Sequence, residues 1–212
     1  MPRKHNNLIT NIYKFEPECL SKRRLKGKAP IILFVGGRDT GKTVLLLDIL
    51  YHLRNTPKFV CMSSTEGPNP TYKKHIHDLF IHKELDTDLI QKMMDTQGKI
   101  PDLKNKPENG LGLIIEDLAF EKSKIRSSKI LEKLFVAGRH YLITLMMTLQ
   151  YTKMIPPSFR GNVDYVFVTI EPNKILQKQL YEHFFGVFDN FKQFQKTLNK
   201  CTQNHGCLVW AK

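Results

Sequence analysis

The sequence predicts an α/β fold, a three-layer αβα sandwich around a mostly parallel sheet. Three observations predict it. Short apolar runs rich in β-branched residues alternate with longer stretches of helical length. The runs are apolar along most of their length, as in strands buried on both faces. The first run also leads through a glycine-rich turn straight into a leucine-rich segment, which is the order of a βαβ unit.

The individual elements follow from these patterns and from the Pro, Gly and Asn clusters between them. Strands are predicted at residues 30–35, 58–64, 111–118, 141–150, 164–170 and 207–211. Helices are predicted at residues 42–53, 129–140, 173–185 and 189–199, and residues 71–97 look helical with a mixed pattern. The chain has 212 residues, enough for one domain with a sizeable core.

The basic residues suggest both a domain boundary and a partner. Residues 1–29 are polar and basic, densest at "SKRRLKGK", and we expect an N-terminal arm there, followed by one domain at residues 30–212. The formal net charge is +13, from 33 Lys and Arg against 20 Asp and Glu. Such an excess favours a polyanionic partner, either nucleic acid or an anionic membrane surface.

Other classes of protein are disfavoured by what the sequence contains. Its longest apolar runs fall well short of the roughly 20 residues of a membrane span, and its first residues, "MPRKHNNLIT", lack the apolar core of a secretory signal. We therefore expect no membrane span and no secretion. The four cysteines, Cys19, Cys61, Cys201 and Cys207, then read as reduced thiols. The spacing in "CTQNHGC" does not match a standard zinc site.

The first predicted strand runs into a phosphate-binding loop. Gly36 to Thr43, "GGRDTGKT", fits the pattern G-x-x-x-x-G-K-[ST] between a strand and a helix. Glycines allow consecutive backbone N–H groups to point inward, and the following helix adds the positive end of its dipole. Lys42 supplies charge at the β- and γ-phosphates, and the Thr43 hydroxyl is a Mg²⁺ ligand. The residues expected to contact ATP are Gly36, Gly37, Arg38, Asp39, Thr40, Gly41, Lys42, Thr43 and Val44.

Two further strand ends carry polar side chains. Glu116 and Asp117 follow "LGLII", where a buried acid is costly unless a cation lies nearby. We expect this strand to lie beside the strand that precedes the loop. One acid would then hold Mg²⁺, largely through water, and the other would activate the attacking water. A strand-end turn that caps the next helix is the alternative. Gln150 closes "YLITLMMTLQ", where it would position water or sense the γ-phosphate.

These segments together resemble a known family. The residues that carry the resemblance, beside the loop and "LIIEDL", are Gly138-Arg139-His140-Tyr141, Gln150-Tyr151, Pro156-Pro157, Arg160 and Asn162-Val163-Asp164-Tyr165. Over residues 30–211 the chain resembles the poxvirus-type DNA-packaging ATPases of large DNA viruses, which fall in the FtsK–HerA group of P-loop motors. The family usually has Asp where this chain has Glu116, so which of Glu116 and Asp117 holds the metal stays open.

The resemblance implies a function and partners. It implies hydrolysis of ATP with Mg²⁺ that drives double-stranded DNA into a preformed capsid, by a homo-oligomeric ring at the capsid or portal vertex. It places Lys42 and Thr43 in Walker A, Glu116 and Asp117 in Walker B, and makes Gln150 the polar sensor. It implies action in an infected host cell, in a cytoplasmic viral factory or the nucleus, or in association with the virion. Ring motors often take an arginine from a neighbouring subunit, for which we favour Arg139 over Arg160.

DNA contact would use phosphates rather than bases. The candidates are Lys122, Lys124, Arg126 and Lys129, together with the run from Lys22 to Lys28.

Three alternatives remain at this point. A nucleotide or other small-molecule kinase shares the loop, but no arginine-rich lid stands out. A GTPase would need Asn-Lys-x-Asp, and "NKPE" and "NKIL" both lack the Asp. A DNA-binding P-loop protein without motor activity is disfavoured by the intact Lys42, Thr43 and acid pair.

Overall fold

A computed structural model describes residues 12–66, 70–116 and 122–212. Within these residues a single sheet has seven strands in the order β3-β2-β4-β5-β1-β6-β7. The strands are β1 (Ile31–Val35), β2 (Lys58–Ser63), β3 (Ile81–His82), β4 (Leu111–Glu116), β5 (Ile143–Leu149), β6 (Tyr165–Val168) and β7 (Leu208–Ala211). Every neighbouring pair is parallel except β6 with β7, which is antiparallel. The predicted α/β fold with a mostly parallel sheet is confirmed.

Helices cover both faces of the sheet and complete the three layers. They are α1 (Glu18–Leu25), α2 (Lys42–His52), α3 (Thr87–Gly98), α4 (Lys122–Ser127), α5 (Lys129–Ala137), α6 (Pro157–Arg160), α7 (Lys174–His183) and α8 (Phe191–Cys201). Polar side chains cap several of them. Asp86, Ser128 and Asn190 accept a backbone N–H at the starts of α3, α5 and α8. These caps explain why the helices begin where they do.

The core divides at the sheet because alternate side chains of each strand point to opposite faces. Ile32 and Phe34 of β1 pack in one cluster with Leu46 and Ile49 of α2. Leu33 and its alternate neighbours lie in the larger cluster on the other face, with the buried residues of α5, α7 and α8. All five residues of β1 are buried. The strand that leads into the phosphate-binding loop is therefore held from both sides.

The described part of the expected N-terminal arm differs from that expectation. Residues 18–25 form α1, in which Leu20 is fully buried against the core around α2. Arg24 is also buried, and it donates hydrogen bonds to the carbonyl oxygens of Asn55 at 2.7 Å and Pro107 at 2.6 Å. Arg23 pairs with Asp164. These basic residues stabilise the fold, while Lys22, Lys26 and Lys28 are exposed.

The mixed pattern of residues 71–97 resolves into several short elements rather than one helical stretch. Two 3₁₀ turns, at Tyr72–Lys74 and Asp78–Phe80, precede the two-residue strand β3, and α3 begins only at Thr87. β3 pairs with β2 at the edge of the sheet, where Cys61 lies opposite Ile81. Pairing with a distant strand, which local periodicity does not report, decides the conformation here.

The position of β4 in the sheet corrects a second expectation. We expected β4 to lie beside β1, but β5 lies between them and pairs with both. The carboxyl ends of β1, β4 and β5 nevertheless meet at one edge of the sheet, because the three strands are parallel. Glu116 must therefore reach the loop across the end of β5, a span of about two strand spacings, or roughly 10 Å.

Candidate nucleotide site

The loop after β1 has a shape that only glycine permits at its first position. The Gly36 N–H donates to the Leu149 carbonyl at 3.1 Å, which continues the pairing of β1 with β5. A Cβ on Gly36 would lie 1.9 Å from the Thr169 hydroxyl oxygen. Thr169 follows β6, and its hydroxyl lies 2.7 Å from that of Thr40. The loop is thus braced on one side by β5 and on the other by the residue after β6.

The loop then turns into α2 through left-handed backbone. Asp39 has φ +58° and Gly41 has φ +88°, both in the region that costs most residues strain. A Cβ on Gly41 would meet no atom within 4 Å, so the space beside it is open. α2 begins at the next residue, Lys42. The first turn of α2, with the positive end of the helix dipole, therefore lies directly after the loop, which suits an anion.

The lysine of the loop lies within the loop itself. Lys42 Nζ donates to the Gly37 carbonyl, so its ammonium group lies beside the glycine turn. Arg38 and Asp39, in contrast, extend into solvent with side chains 91% and 93% exposed. Val44 is also exposed. Among these three charged residues of the loop, Lys42 is therefore the one whose charged group lies at the glycine turn.

Thr43 connects the loop to the end of β4. Its hydroxyl donates to Glu116 Oε1 at 2.6 Å, and Glu116 is only 4% exposed. The two residues are brought together although β5 separates their strands, because Thr43 lies on the first turn of α2 and not on β1. A hydroxyl and a carboxylate oxygen are the hard oxygen donors that Mg²⁺ prefers. The chemistry of this pair therefore fits a magnesium ion.

Gln150, which was also predicted to belong to the site, lies along the same edge of the sheet. Gln150 follows β5 directly, is half-buried, and donates its backbone N–H to Met154 Sδ at 3.3 Å. Its neighbour Leu149 pairs with Val35, the last residue before the loop, so Gln150 lies level with the glycine turn. Asp117 lies outside the described residues. The division of roles within the Glu116–Asp117 pair therefore stays a prediction.

Sequence reasoning missed a buried acid at the end of β2. Glu66 is 2% exposed, and its two carboxylate oxygens accept the backbone N–H groups of Thr71, Tyr72 and Lys73 at 2.9–3.0 Å. These bonds fix the 3₁₀ turn that carries Tyr72. An acid shortly after the apolar run "KFVCMSS" is the same signal that identified Glu116.

Tyr72 lies next to the candidate metal-binding carboxylate. It is fully buried, and burial, followed by the negative charge of Glu116, raises the pKa of its hydroxyl far above the ordinary value. The hydroxyl forms no hydrogen bond within the part of the chain that the structure describes. Tyr72 is therefore a neutral phenol packed against the end of β4.

The two arginines considered as the residue that a neighbouring subunit would receive, Arg139 and Arg160, have different surroundings. Arg139 is exposed and precedes β5, at the edge of the sheet opposite the loop. It does not reach the loop of its own chain. Arg160 is half-buried, and its guanidinium lies 2.9 Å from His183 Nδ1, which the Thr152 hydroxyl also contacts at 2.7 Å. Burial lowers the pKa of Arg160, and burial with the charge of Arg160 lowers the pKa of His183.

The basic residues after β4 are only partly available. Lys124 donates to the Leu85 carbonyl at 2.5 Å, while Arg126 and Lys129 are exposed. The side chain of Lys122 lies outside the description. Among the described residues no helix has the length and apolarity to cross a bilayer.

Comparison with known proteins identifies the family of the chain. The family model described as the poxvirus A32 protein matches residues 18–180. The chain belongs to the poxvirus A32 protein family. The match begins with α1 and ends within α7, so it includes the loop and the ends of β4 and β5.

Similar proteins occur in two viruses. Protein L437 of Acanthamoeba polyphaga mimivirus is 32% identical over 187 residues, which cover 85% of this chain and 66% of L437. Protein 075L of Invertebrate iridescent virus 6 is 33% identical over 178 residues, covering 84% of this chain and 68% of 075L. The chain thus spans about two thirds of the length of these two relatives.

A solved structure shares the fold at low sequence identity. The genome packaging NTPase B204 of Sulfolobus turreted icosahedral virus 2, in complex with AMP, superposes with a TM-score of 0.60 at 14% identity. The match covers 86% of this chain and 92% of B204. B204 has also been solved in complex with ATP-γ-S.

Proposed function

We propose that this A32-family chain is an ATPase that drives double-stranded viral DNA into a preformed capsid. The observation that carries the proposal is the contact between Thr43 and Glu116 at the mouth of the glycine turn. It joins a phosphate-binding loop to a buried acid, which is what hydrolysis of a nucleoside triphosphate needs beyond binding it. The family relationship and the shared fold with the packaging NTPase B204 support the same proposal.

Each residue of the candidate nucleotide site would have its own role in ATP hydrolysis. The N–H groups of the loop and of the start of α2 would bind the phosphates of ATP, and Lys42 would exchange the Gly37 carbonyl for them. Thr43 and Glu116 would hold Mg²⁺, which when bound offsets phosphate charge. Gln150 would orient the attacking water from the end of β5. Asp117 is the proposed partner of Glu116 in activating that water.

The proposed assembly follows from the positions of Arg139 and of the basic surface. We propose a homo-oligomeric ring in which Arg139 of one subunit approaches the loop of the next, since it lies at the sheet edge opposite its own loop. The net charge of +13 favours DNA as the polyanion. Arg126 and Lys129 are exposed candidates for phosphate contact. We propose that the ring acts at the capsid or portal vertex in the infected cell.

Hydrolysis measured with and without DNA tests the proposal. We expect ATP hydrolysis that rises when double-stranded DNA of any sequence is added, and that falls at least about 100-fold in Lys42→Ala, since the loss of one charge-stabilising group costs about that much. DNA affinity should fall steeply with salt, because phosphate contacts release counterions. Transfer of phosphate to a nucleoside, with no response to DNA, would instead show a kinase.

A further inference from the structure

We propose that the chain binds the phosphates of double-stranded DNA on a basic surface at the amino ends of β1, β2 and β4. This surface, which we name the basic edge, consists of Lys26, Lys28, Arg54, Lys104 and Lys106. It lies at the opposite edge of the sheet from the glycine turn and from Arg126 and Lys129, which follow β4. The inference rests on the proposed function, because it names where the partner of the proposed motor binds.

Three segments that precede strands bring these cations to one edge. Residues 26–30 lead into β1, residues 53–57 lead into β2, and residues 99–110 lead into β4. The three strands belong to the parallel part of the sheet, so their amino ends lie at the same edge. The cations of all three segments therefore lie on that side of the molecule.

Buried Arg24 joins the second and third segments to the end of α1. Its guanidinium donates to the Asn55 carbonyl at 2.7 Å and to the Pro107 carbonyl at 2.6 Å. Arg54 directly precedes Asn55, and Lys106 directly precedes Pro107. The hydrogen bonds of one buried side chain therefore fix the backbone beside two cations of the basic edge.

A close backbone contact joins the first and third segments. A Cβ on Gly27 would lie 2.4 Å from the Lys104 carbonyl oxygen, so the turn that carries Lys26 and Lys28 packs directly against the backbone of Lys104. The five cations thus belong to one cluster, although they come from three separate parts of the chain.

The charges of the basic edge are available to a partner. Four of the five side chains are exposed, and Lys106 is half-buried. None of the five forms an ion pair with another residue in the described ranges. Asp102 and Glu108 are the acids of the three segments, and the cations outnumber them. Duplex DNA carries one charge per about 1.7 Å of its axis, so it binds such a cluster with release of counterions.

The α2 helix connects the basic edge to the candidate nucleotide site. It begins at Lys42 in the loop and ends at His52, two residues before Arg54. The buried residues of α1 and α2 pack on one face of the sheet, whereas those of α5, which precedes Arg139, pack on the other face. DNA on the basic edge therefore leaves the Arg139 side for the neighbouring subunit of the proposed ring.

Two triple variants of equal net charge test this surface. The edge variant carries Lys26→Gln, Lys28→Gln and Lys104→Gln. The control variant carries Lys192→Gln, Lys196→Gln and Lys200→Gln, which replace exposed lysines along α8. Each variant removes three positive charges from the net +13. Binding to labelled duplexes of two unrelated sequences is measured by fluorescence anisotropy over a range of salt concentrations.

We expect the edge variant to bind both duplexes at least about 10-fold more weakly at about 0.1 M salt. Its plot of log affinity against log salt should be less steep by about 2–3, because up to three phosphate contacts are lost. The control variant should stay within about 3-fold of the wild type, since salt screens distant charges. ATP hydrolysis without DNA should be unchanged in both variants. Arg54→Gln, in another segment of the basic edge, should weaken DNA binding by about 3-fold or more.

Other outcomes overturn the inference in distinguishable ways. Equal DNA affinities for the edge and control variants would show that net charge, and not this surface, governs binding. A larger loss in the control variant would place the contact on α8. Wild-type binding to vesicles of phosphatidylcholine and phosphatidylserine, lost in the edge variant while DNA binding persists, would assign the surface to membranes.

Failure of the proposed function gives a different pattern. A wild type that neither binds duplex DNA nor hydrolyses ATP would contradict the proposed function and the inference together. A wild type that does both, beside an edge variant with unaltered DNA binding, would contradict the inference alone.

Discussion

The Thr43 hydroxyl and Glu116 Oε1 lie 2.6 Å apart, although 73 positions separate them in the chain and β5 lies between β4, which ends at Glu116, and β1, which precedes the loop. The contact is made because the first turn of α2 rises beside the end of β5, and because glutamate is long enough to meet it. It links the residue that follows Lys42, the lysine predicted to bind phosphate, to the acid at the end of β4. Substitutions at this contact therefore separate metal binding from phosphate binding.

Replacement of Thr43 tests that separation. Thr43→Val keeps the shape of the side chain but removes the hydroxyl, and leaves buried Glu116 without this donor. We expect Mg²⁺-dependent nucleotide affinity to fall about 10- to 100-fold, as for loss of a hydrogen bond to a charged group. Calorimetry with a non-hydrolysable ATP analogue measures it. Thr43→Ser is the control and should stay within about 3-fold of wild type, since it retains the hydroxyl. Equal affinities for the valine and serine variants would contradict the role given to this hydroxyl.

Gly36 and Thr169 form a second pair that a double substitution can test. A Cβ at Gly36 would lie 1.9 Å from the Thr169 hydroxyl oxygen, so Gly36→Ala should destabilise the fold by about 1–3 kcal/mol through overpacking. Thr169→Ala removes that oxygen, and the double variant should recover part of the loss. Denaturant unfolding measures all three variants.

The matched control is Gly186→Ala, because a Cβ there meets no atom within 4 Å. Additive effects of Gly36→Ala and Thr169→Ala would show that the two residues do not interact.

Much of the fold could be predicted because a buried strand appears in the sequence as a short, nearly continuous apolar run. Each predicted strand coincides with an observed one to within two residues at either end, and the glycine pattern predicted the loop between β1 and α2. The order of the strands in the sheet, in contrast, does not appear in any local sequence pattern. Nothing in the runs around residues 111–118 and 141–150 tells which of them lies beside β1, since that depends on pairing across the whole chain.

The parts of the site that escaped prediction depend on contacts distant in sequence. Thr169 braces the loop from the end of β6, and no pattern near Gly36 points to it. Arg24 was predicted to lie in a basic N-terminal arm, within the run from Lys22 to Lys28 considered for DNA contact. Only the fold shows that it donates to carbonyl oxygens of two distant loops. Glu66 could have been predicted from the sequence. A buried acid is costly, so an acid soon after a buried strand is as informative at β2 as at β4.

Arg24 gives a prediction about the N-terminal segment. Its guanidinium donates to the carbonyls of Asn55 and Pro107 while the side chain is 2% exposed. Arg24→Ala leaves two part-buried acceptors with one partner fewer and opens a cavity at a buried side chain, so we expect a loss of about 2–4 kcal/mol in denaturant unfolding. Lys22→Ala, four residues into the same helix and exposed, should change stability by less than about 0.5 kcal/mol. Similar small effects at both positions would mean that the hydrogen bonds of Arg24 add little to stability.

His183 predicts how stability changes with pH. Its pKa is lowered in the fold, first by burial and then by the charge of Arg160, whereas in the unfolded chain it titrates near about 6.5. As the pH falls through that value, the unfolded chain takes up a proton that folded His183 resists, so stability decreases. Above it the contribution of His183 is fully present.

Unfolding at a series of pH values tests this prediction. His183→Gln should flatten the fall in stability below about pH 6.5, since glutamine does not titrate. Arg160→Gln should flatten it partly, because it removes the charge that opposes protonation. Wild-type and His183→Gln curves of the same slope would assign the pH dependence to other groups.

Arg139 predicts complementation between subunits of the proposed ring. The residue lies at the sheet edge opposite its own loop, so a catalytic role requires a neighbouring chain. Arg139→Ala should bind nucleotide as the wild type does and hydrolyse it about 1,000-fold more slowly, which is the effect of losing an arginine finger. Lys42→Ala should be inactive for a different reason, because its own loop is damaged.

In a mixture of the two variants, some interfaces pair the intact loop of an Arg139→Ala subunit with the intact Arg139 of a Lys42→Ala subunit. Activity should therefore reappear on mixing and depend on the ratio of the two chains, as measured by ATP hydrolysis with DNA present. A mixture no more active than its components, under conditions in which the wild type forms rings, would place the stabilising positive charge elsewhere. The corresponding mixture of Arg160→Ala with Lys42→Ala would then be the decisive comparison, since Arg160 is the other arginine of the same segment.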